Sequence, residues 1–219
     1  MKRYIAFFIL VICLFNYTLS FAKEDISITE KKAEVLSCLN ILKGDENGFR
    51  LNDKSNRLEA IVILIRLSGN EKDALLKNMH HPFVDVPDWA SPYVGYAYAL
   101  GLTNGVDKSH FGTNDLLSAN HFVTFVLRNL GYLDKEGDFR VDDAVSFAYE
   151  NHIITAEIDV ENFERKDITS ILYDALGAKI KNTNTTFDKK LKALGVFSDE
   201  EEKEAVKIIA DVLTQKEPS

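Results

Sequence analysis

One phrase occurs three times in this chain, each copy less complete than the one before. The fullest copy runs Phe49-Arg-Leu-Asn-Asp-Lys-Ser-Asn-Arg57-Leu-Glu59 and leads into an apolar run closed by Ser68-Gly69. The second runs Phe111-Gly-Thr-Asn-Asp-Leu-Leu-Ser118-Ala-Asn-His121, and its apolar run ends at Leu130-Gly131. The third passes through Phe163-Glu-Arg165-Lys-Asp167 and ends at Leu176-Gly177. Phe49 and Phe111 stand 62 positions apart, as do Gly69 and Gly131. A fixed period of this size implies stacked supersecondary units. The loop common to all of them is the first place to look for function.

Each unit reads as helix, turn-rich loop, helix. In the second, Phe83-Val-Asp-Val-Pro-Asp-Trp89 is extended, and Ser91 offers an N-cap with Pro92 at the first helical position. Tyr93, Tyr96, Ala97 and Leu100 follow at helical spacing, and Asn104-Gly105 stops the helix. The first unit has a corresponding helix over about Glu30 to Leu42, ending at Gly44. Asp45 to Gly48 reads as a turn. The third unit begins near Val141, turns at Asn151-His152 and re-enters a helix near Glu164. The run from Ala60 to Ile65 has no polar face, so its helix must be covered on every side. Such helices are expected at the centre, with the others packed around them. Lys179 to Thr186 reads as a polar linker, and two more helices follow, over Phe187 to Val196 and Glu200 to Leu213.

The amino terminus reads as an address. Lys2 and Arg3 precede an apolar stretch, and Ser20-Phe21-Ala22 supplies a small-residue cleavage site, so residues 1–22 are expected to be a secretory signal. Removing them leaves 24 basic residues against 34 acidic ones. That acidic balance argues against nucleic acid as a partner. Cys38 is then the single cysteine, excluding an internal disulfide, and its apolar neighbours suggest a buried, inert thiol. No later stretch is apolar for long enough to span a bilayer, so no membrane contact is expected after cleavage.

Within the phrase, Asn56 reads as an N-cap and Glu59 as its capping-box partner. Arg57 falls at the first helical position, where the helix dipole disfavours a cation by about 0.3–1 kcal/mol. A cation beside free backbone N–H groups suits an anion. Arg165 holds the matching place in the third copy.

The run Phe-x-Asp-Val-Pro-x-Trp-Ala, a helix closed by Gly, Phe-x-x-Asn-Asp, a Thr-Arg-Ala-Glu-like start and an apolar helix ending Leu-Gly together resemble the S-layer homology module. The resemblance covers about Ile26 to Gly177. It implies an all-α fold of three tandem helix-loop-helix repeats in a pseudo-threefold assembly with a central helical bundle, followed here by C-terminal helices. The implied boundaries are 23–79, 80–137 and a degenerate 138–177, with 178–219 as linker and helical tail. It also implies a secreted bacterial surface protein bound non-covalently to an acidic, pyruvylated cell-wall polysaccharide through grooves between repeats. Carried over residue by residue, the glycan-binding set is Arg57, Arg165, Trp89, Gly44, Gly105 and Asp85. Asp85 also reads as a loop-ordering acceptor. Trp89 and Tyr93 offer stacking faces, although Trp89 reads equally well as a core anchor. The second copy has Ala119 in place of the motif Arg, and the third has Ala156 in place of the Gly and no Trp.

The alternative reading is a protein–protein interaction module that keeps this fold at the cell surface without glycan binding, with the C-terminal helices as a possible docking point for another surface protein. His80, His81, His110, His121 and His152 match no metal-ligand spacing. No nucleotide, phosphate-loop or nucleophile motif occurs, so neither an enzyme nor a cofactor is expected.

Overall fold

The computed structural model describes residues 28–214, and the expected signal at 1–22 lies outside the described residues. The described residues form nine α-helices and no strand or sheet. They are α1 (28–38), α2 (Arg57–Leu67), α3 (Glu71–Lys77), α4 (Ser91–Ala99), α5 (Ala119–Asn129), α6 (Ala144–Glu150), α7 (Arg165–Leu176), α8 (Phe187–Ala193) and α9 (Asp199–Thr214).

The caps explain where the helices of the repeated phrase begin. Asn56 Oδ1 accepts the Glu59 N–H at 2.9 Å, and Ser118 Oγ accepts that of His121 at 3.3 Å, each satisfying a donor the helix leaves open. In α7, Asp167 Oδ2 reaches back to the Glu164 N–H at 2.9 Å. Three expectations shift. Helix α4 ends at Ala99, with Gly101 left-handed at φ +69, and not at Asn104-Gly105. Helix α1 stops at 38 rather than Leu42, because Asn40 turns left-handed at φ +60. Ser91 is the first residue of α4 and not its cap: Ala90 holds that position, and Ser91 Oγ meets His81 Nε2 at 3.0 Å.

Helix α2 is central, as its composition requires. Leu58, Leu67 and every residue from Ala60 to Ile65 are buried. The helix is shared by two apolar clusters. Ala60, Ile63 and Leu67 belong to a larger one with α1, α5, α6 and α7. Leu58, Ile61, Val62, Leu64 and Ile65 belong to a smaller one with Phe83, Tyr93, Val94 and Phe111. Helix α2 packs on α4 and α5 packs on α6. Helix α7 meets α1, where Lys32 lies 3.7 Å from Asp174 and over the Tyr173 ring.

The loop 51–57 ties these helices together through its main chain. Leu51 and Asp53 carbonyls accept the N–H groups of Lys166 and Arg165 at 2.8 and 2.9 Å. The Ser55 carbonyl accepts the Leu117 N–H at 3.0 Å, and the Arg57 N–H donates to the Asp115 carbonyl at 2.9 Å. Asp53 and Asp115 occupy the same place in the phrase and do the same thing. Each carbonyl receives the N–H of an arginine that opens a helix from another copy.

Residues 179–186 close into a turn through a bridge between Lys179 and Thr186. Phe187, Leu191 and Phe197 then enter the larger cluster. Lys190 Nζ donates to the Asn129 carbonyl at 2.6 Å, covering the end of α5. The half-buried Cys38 donates to the Glu201 carbonyl at 3.2 Å. Burial, then Glu204 and Glu201, push its thiol above the ordinary range, so it stays protonated and unreactive at neutral pH.

Gly95 in α4 lets the chain pass directly over the helix. A Cβ there would lie 1.7 Å from the Met79 carbonyl oxygen. Gly95→Ala is expected to cost about 3 kcal/mol, read as a lower urea midpoint with an unchanged slope.

Candidate functional site

Two corners of the fold gather the expected site residues. The first is built on Arg57. Its position at the start of α2 sends the guanidinium toward the loop after α4, where Nη2 donates to Thr103 Oγ1 at 3.1 Å. The guanidinium carbon lies 5.1 Å from the Phe111 ring centroid, a cation–π contact. Nε is buried with no hydrogen-bond partner among the described residues, which leaves one strong donor unsatisfied. Gly105 meets the same hydroxyl, its N–H donating to Thr103 Oγ1 at 3.2 Å. Gly105 has φ +73, and a Cβ there would lie 2.4 Å from the Phe83 ring and 2.5 Å from the His110 carbonyl, so only glycine fits.

Asp85 stands behind this corner. Its carboxylate accepts the N–H groups of Phe111, Gly112 and Thr113 at 2.7, 2.9 and 2.9 Å. It therefore orders the loop that presents Phe111 to Arg57. Burial alone would raise the Asp85 pKa, but the backbone donors outweigh it and hold the pKa at about 2.

The second corner is a groove of about 220 Å³ in which Gly44, Trp89 and Arg165 come together. Leu42, Val62 and Ile63 form its apolar part, and Lys43, Asp45, Arg50, Glu59 and Arg66 complete the lining. Trp89 is 60% exposed, so it is a wall of the groove and not a core anchor. Tyr93 presents no stacking face: its ring is buried and its hydroxyl donates to Glu71 at 2.7 Å. Gly44 is required by a close backbone approach, since a Cβ would sit 2.8 Å from the Gly48 carbonyl oxygen.

Glu59 does not act as the capping-box acid. Its carboxylate accepts from Ser55 Oγ at 2.6 Å and pairs with Arg50 at 3.0 Å and Arg165 at 3.1 Å. The two arginines compete successfully because they carry full charges, whereas the cap N–H is neutral. Arg165 also donates Nε to the Phe49 carbonyl at 2.9 Å, and its side chain is only 8% exposed. Arg50 is left-handed at φ +50, a conformation that its counterpart Gly112 adopts at φ +81 without a Cβ penalty. Asp45 at 3.0 Å and Glu59 hold Arg50 there.

Lys43, Arg50, Arg66 and Thr103 were not visible as site residues in the sequence. The one available signal was Arg50 at the position where the second copy has Gly112. The remaining copies are poorer. Ala119, 1% exposed, leaves α5 without a cation at its start. The Ala156 N–H donates instead to Asp174 at 2.8 Å. Among the described residues no group of three or more His, Cys, Asp or Glu is arranged to hold a metal ion. No helix among them is long and apolar enough to cross a membrane.

Comparison with known proteins bears on this arrangement. Residues 82–118, which include Asp85, Trp89, Gly105 and Phe111, match the family model of the S-layer homology domain. This stretch is similar to the S-layer homology domain. A cell surface protein of Thermoanaerobacter kivui is 35% identical over 103 residues, covering 45% of this chain and 14% of that protein. A middle cell wall protein of Brevibacillus brevis is 26% identical over 171 residues, covering 72% of this chain and 16% of that protein. A surface layer protein of Brevibacillus choshinensis is 27% identical over 124 residues, covering 52% and 11%. This chain thus spans only 11–16% of the lengths of these relatives. All three names are those of surface or wall proteins, in agreement with the location expected from the S-layer homology resemblance.

Two outcomes follow from the electrostatics. The Asp85 pKa lies below that of an unfolded aspartate, near 3.9. Its stabilisation is therefore complete above about pH 4 and lost as the pH falls toward 2. Asp85→Asn should lower stability by about 1–2 kcal/mol at pH 7 and flatten the acid limb of a thermal-melt series between those pH values. Glu59→Gln and Arg165→Gln should each cost about 2–4 kcal/mol, with a double-mutant coupling of about 1–3 kcal/mol in urea unfolding.

Proposed function

We propose that this protein is a secreted bacterial surface protein that attaches non-covalently to an acidic, pyruvylated cell-wall polysaccharide. In this reading residues 23–79, 80–137 and 138–177 are three S-layer homology repeats around a pseudo-threefold axis, and the grooves lie where one repeat meets the next. The matched use of Asp53 and Asp115, each receiving an arginine N–H from another copy, supports that symmetry. The matched S-layer homology stretch and the names of the relatives support a surface location.

The observation that carries the glycan reading is the exposed Trp89 in a groove faced by four cations and two carboxylates, on a protein whose net charge is −8. An aromatic face suits the apolar side of a sugar ring, and the cations suit its acidic substituent. Arg57, beside Gly105, offers a second anion contact through its terminal guanidinium nitrogens, its Nε being buried. In this reading Arg165 and Gly44 shape the first groove, Gly105 shapes the second, and Asp85 keeps the second rigid.

Trp89 is the sole tryptophan, so its fluorescence reports on the groove directly. Wall polysaccharide from Brevibacillus brevis or Thermoanaerobacter kivui should change that fluorescence, and the protein should pellet with the purified walls. Arg57→Ala and Trp89→Ala should each weaken pelleting by roughly tenfold. Wild-type protein left in the supernatant with both kinds of wall would overturn the reading.

A further inference from the structure

We propose that Lys43 supplies the cation that meets the acidic group of the ligand in the Trp89 groove, while Arg165 serves as a fixed wall of that groove. This rests on the glycan reading above and assigns its charge contact to a residue outside the expected set. The groove is lined by Lys43, Arg50, Arg66 and Arg165, and three of these are committed elsewhere. Arg165 gives Nε to the Phe49 carbonyl and Nη1 to Glu59, with its side chain 8% exposed. Arg66 gives Nε to Glu71 at 2.9 Å, with its side chain 12% exposed. Arg50 is surrounded by Asp45 at 3.0 Å, Glu59 at 3.0 Å and Asp53 at 3.6 Å.

Lys43 differs from all three. Its side chain is 51% exposed, and its ion-pair partner, Glu71, lies at 3.8 Å. That carboxylate is already held by Arg66 and by the Tyr93 hydroxyl at 2.7 Å. Little of its charge is left to compensate Lys43. Lys43 also directly precedes Gly44, whose forced turn with Gly48 fixes the backbone at the groove's edge. A flexible four-carbon stem on a fixed backbone lets the ammonium reach an acidic group on a ring stacked against Trp89. The chemical class that fits is a sugar ring bearing one carboxylate. A long polyanion would meet Asp45 and Glu59 along the same lining.

The test is a Trp89 fluorescence titration of the purified protein with two pyruvylated bacterial wall polysaccharides. The same material after mild acid removal of the ketal serves as the control. Lys43→Ala should weaken binding to the intact polysaccharide by roughly tenfold with an unchanged Tm. Lys43→Arg should retain binding, and the acid-treated polysaccharide should no longer distinguish Lys43→Ala from wild type. Arg165→Lys and Arg165→Gln should lower Tm, while the folded protein loses less affinity than Lys43→Ala. Wild-type binding by Lys43→Ala would overturn the assignment and leave the glycan reading intact. So would an Arg165 variant that matches the Lys43→Ala loss at unchanged Tm. Absence of wild-type binding to either polysaccharide would remove the glycan reading and this assignment with it.

Discussion

The structure depends on the backbone of a seven-residue loop. Residues 51–57 hold the starts of α5 and α7 and the start of their own α2 through main-chain hydrogen bonds. Main-chain groups are present whatever the side chain, and pairing them is obligatory once they are shielded from water. This explains how the phrase can erode without loss of architecture. At Ala119 the arginine is gone, yet the Leu117 N–H still meets the Ser55 carbonyl and Ser118 still caps α5. Side chains of the phrase are thereby freed to diverge in chemistry, and the two corners differ accordingly. One holds a guanidinium whose Nε is buried and unsatisfied, the other an aromatic wall among largely paired charges.

Side chains enter at a second level, as supports for groups they do not resemble. Asp85 never touches Arg57, yet it fixes the three N–H groups of the loop that places Phe111 beneath the guanidinium. Glu59 is removed from the cap position it seems to fill and becomes the junction between Arg50 and Arg165. Both cases follow one rule. A carboxylate in a partly buried setting goes to the strongest set of donors within reach, and sequence neighbours have no priority.

That rule also marks what was legible in the sequence. Local features were readable because their cause is local. Asn56 and Ser118 cap the next donors in the chain, and the apolar run from Ala60 to Ile65 announces a helix covered on all sides. The turn at Asp45 to Gly48 belongs with them. Features set by distant partners were not readable. The role of Glu59 needed Arg165, the burial of Tyr93 needed Glu71, and the exposure of Trp89 needed the groove opposite it. Ser91 carries a cap's residue type, but its hydroxyl is drawn to His81. Of the groove cations, Arg50 and Arg165 belong to the repeated phrase. Lys43 and Arg66 arrive through tertiary packing, for which a single sequence holds no pattern.

Helix α2 has one more consequence. Its residues are divided between both apolar clusters, so neither can come apart without uncovering the other's wall. Repeated architectures commonly unravel unit by unit, because each unit touches only its neighbours. Here the shared helix couples the two cores, which favours their loss together over loss in steps. A surface protein built this way would respond to pulling as one element with one yield point, not as a series of extensible modules.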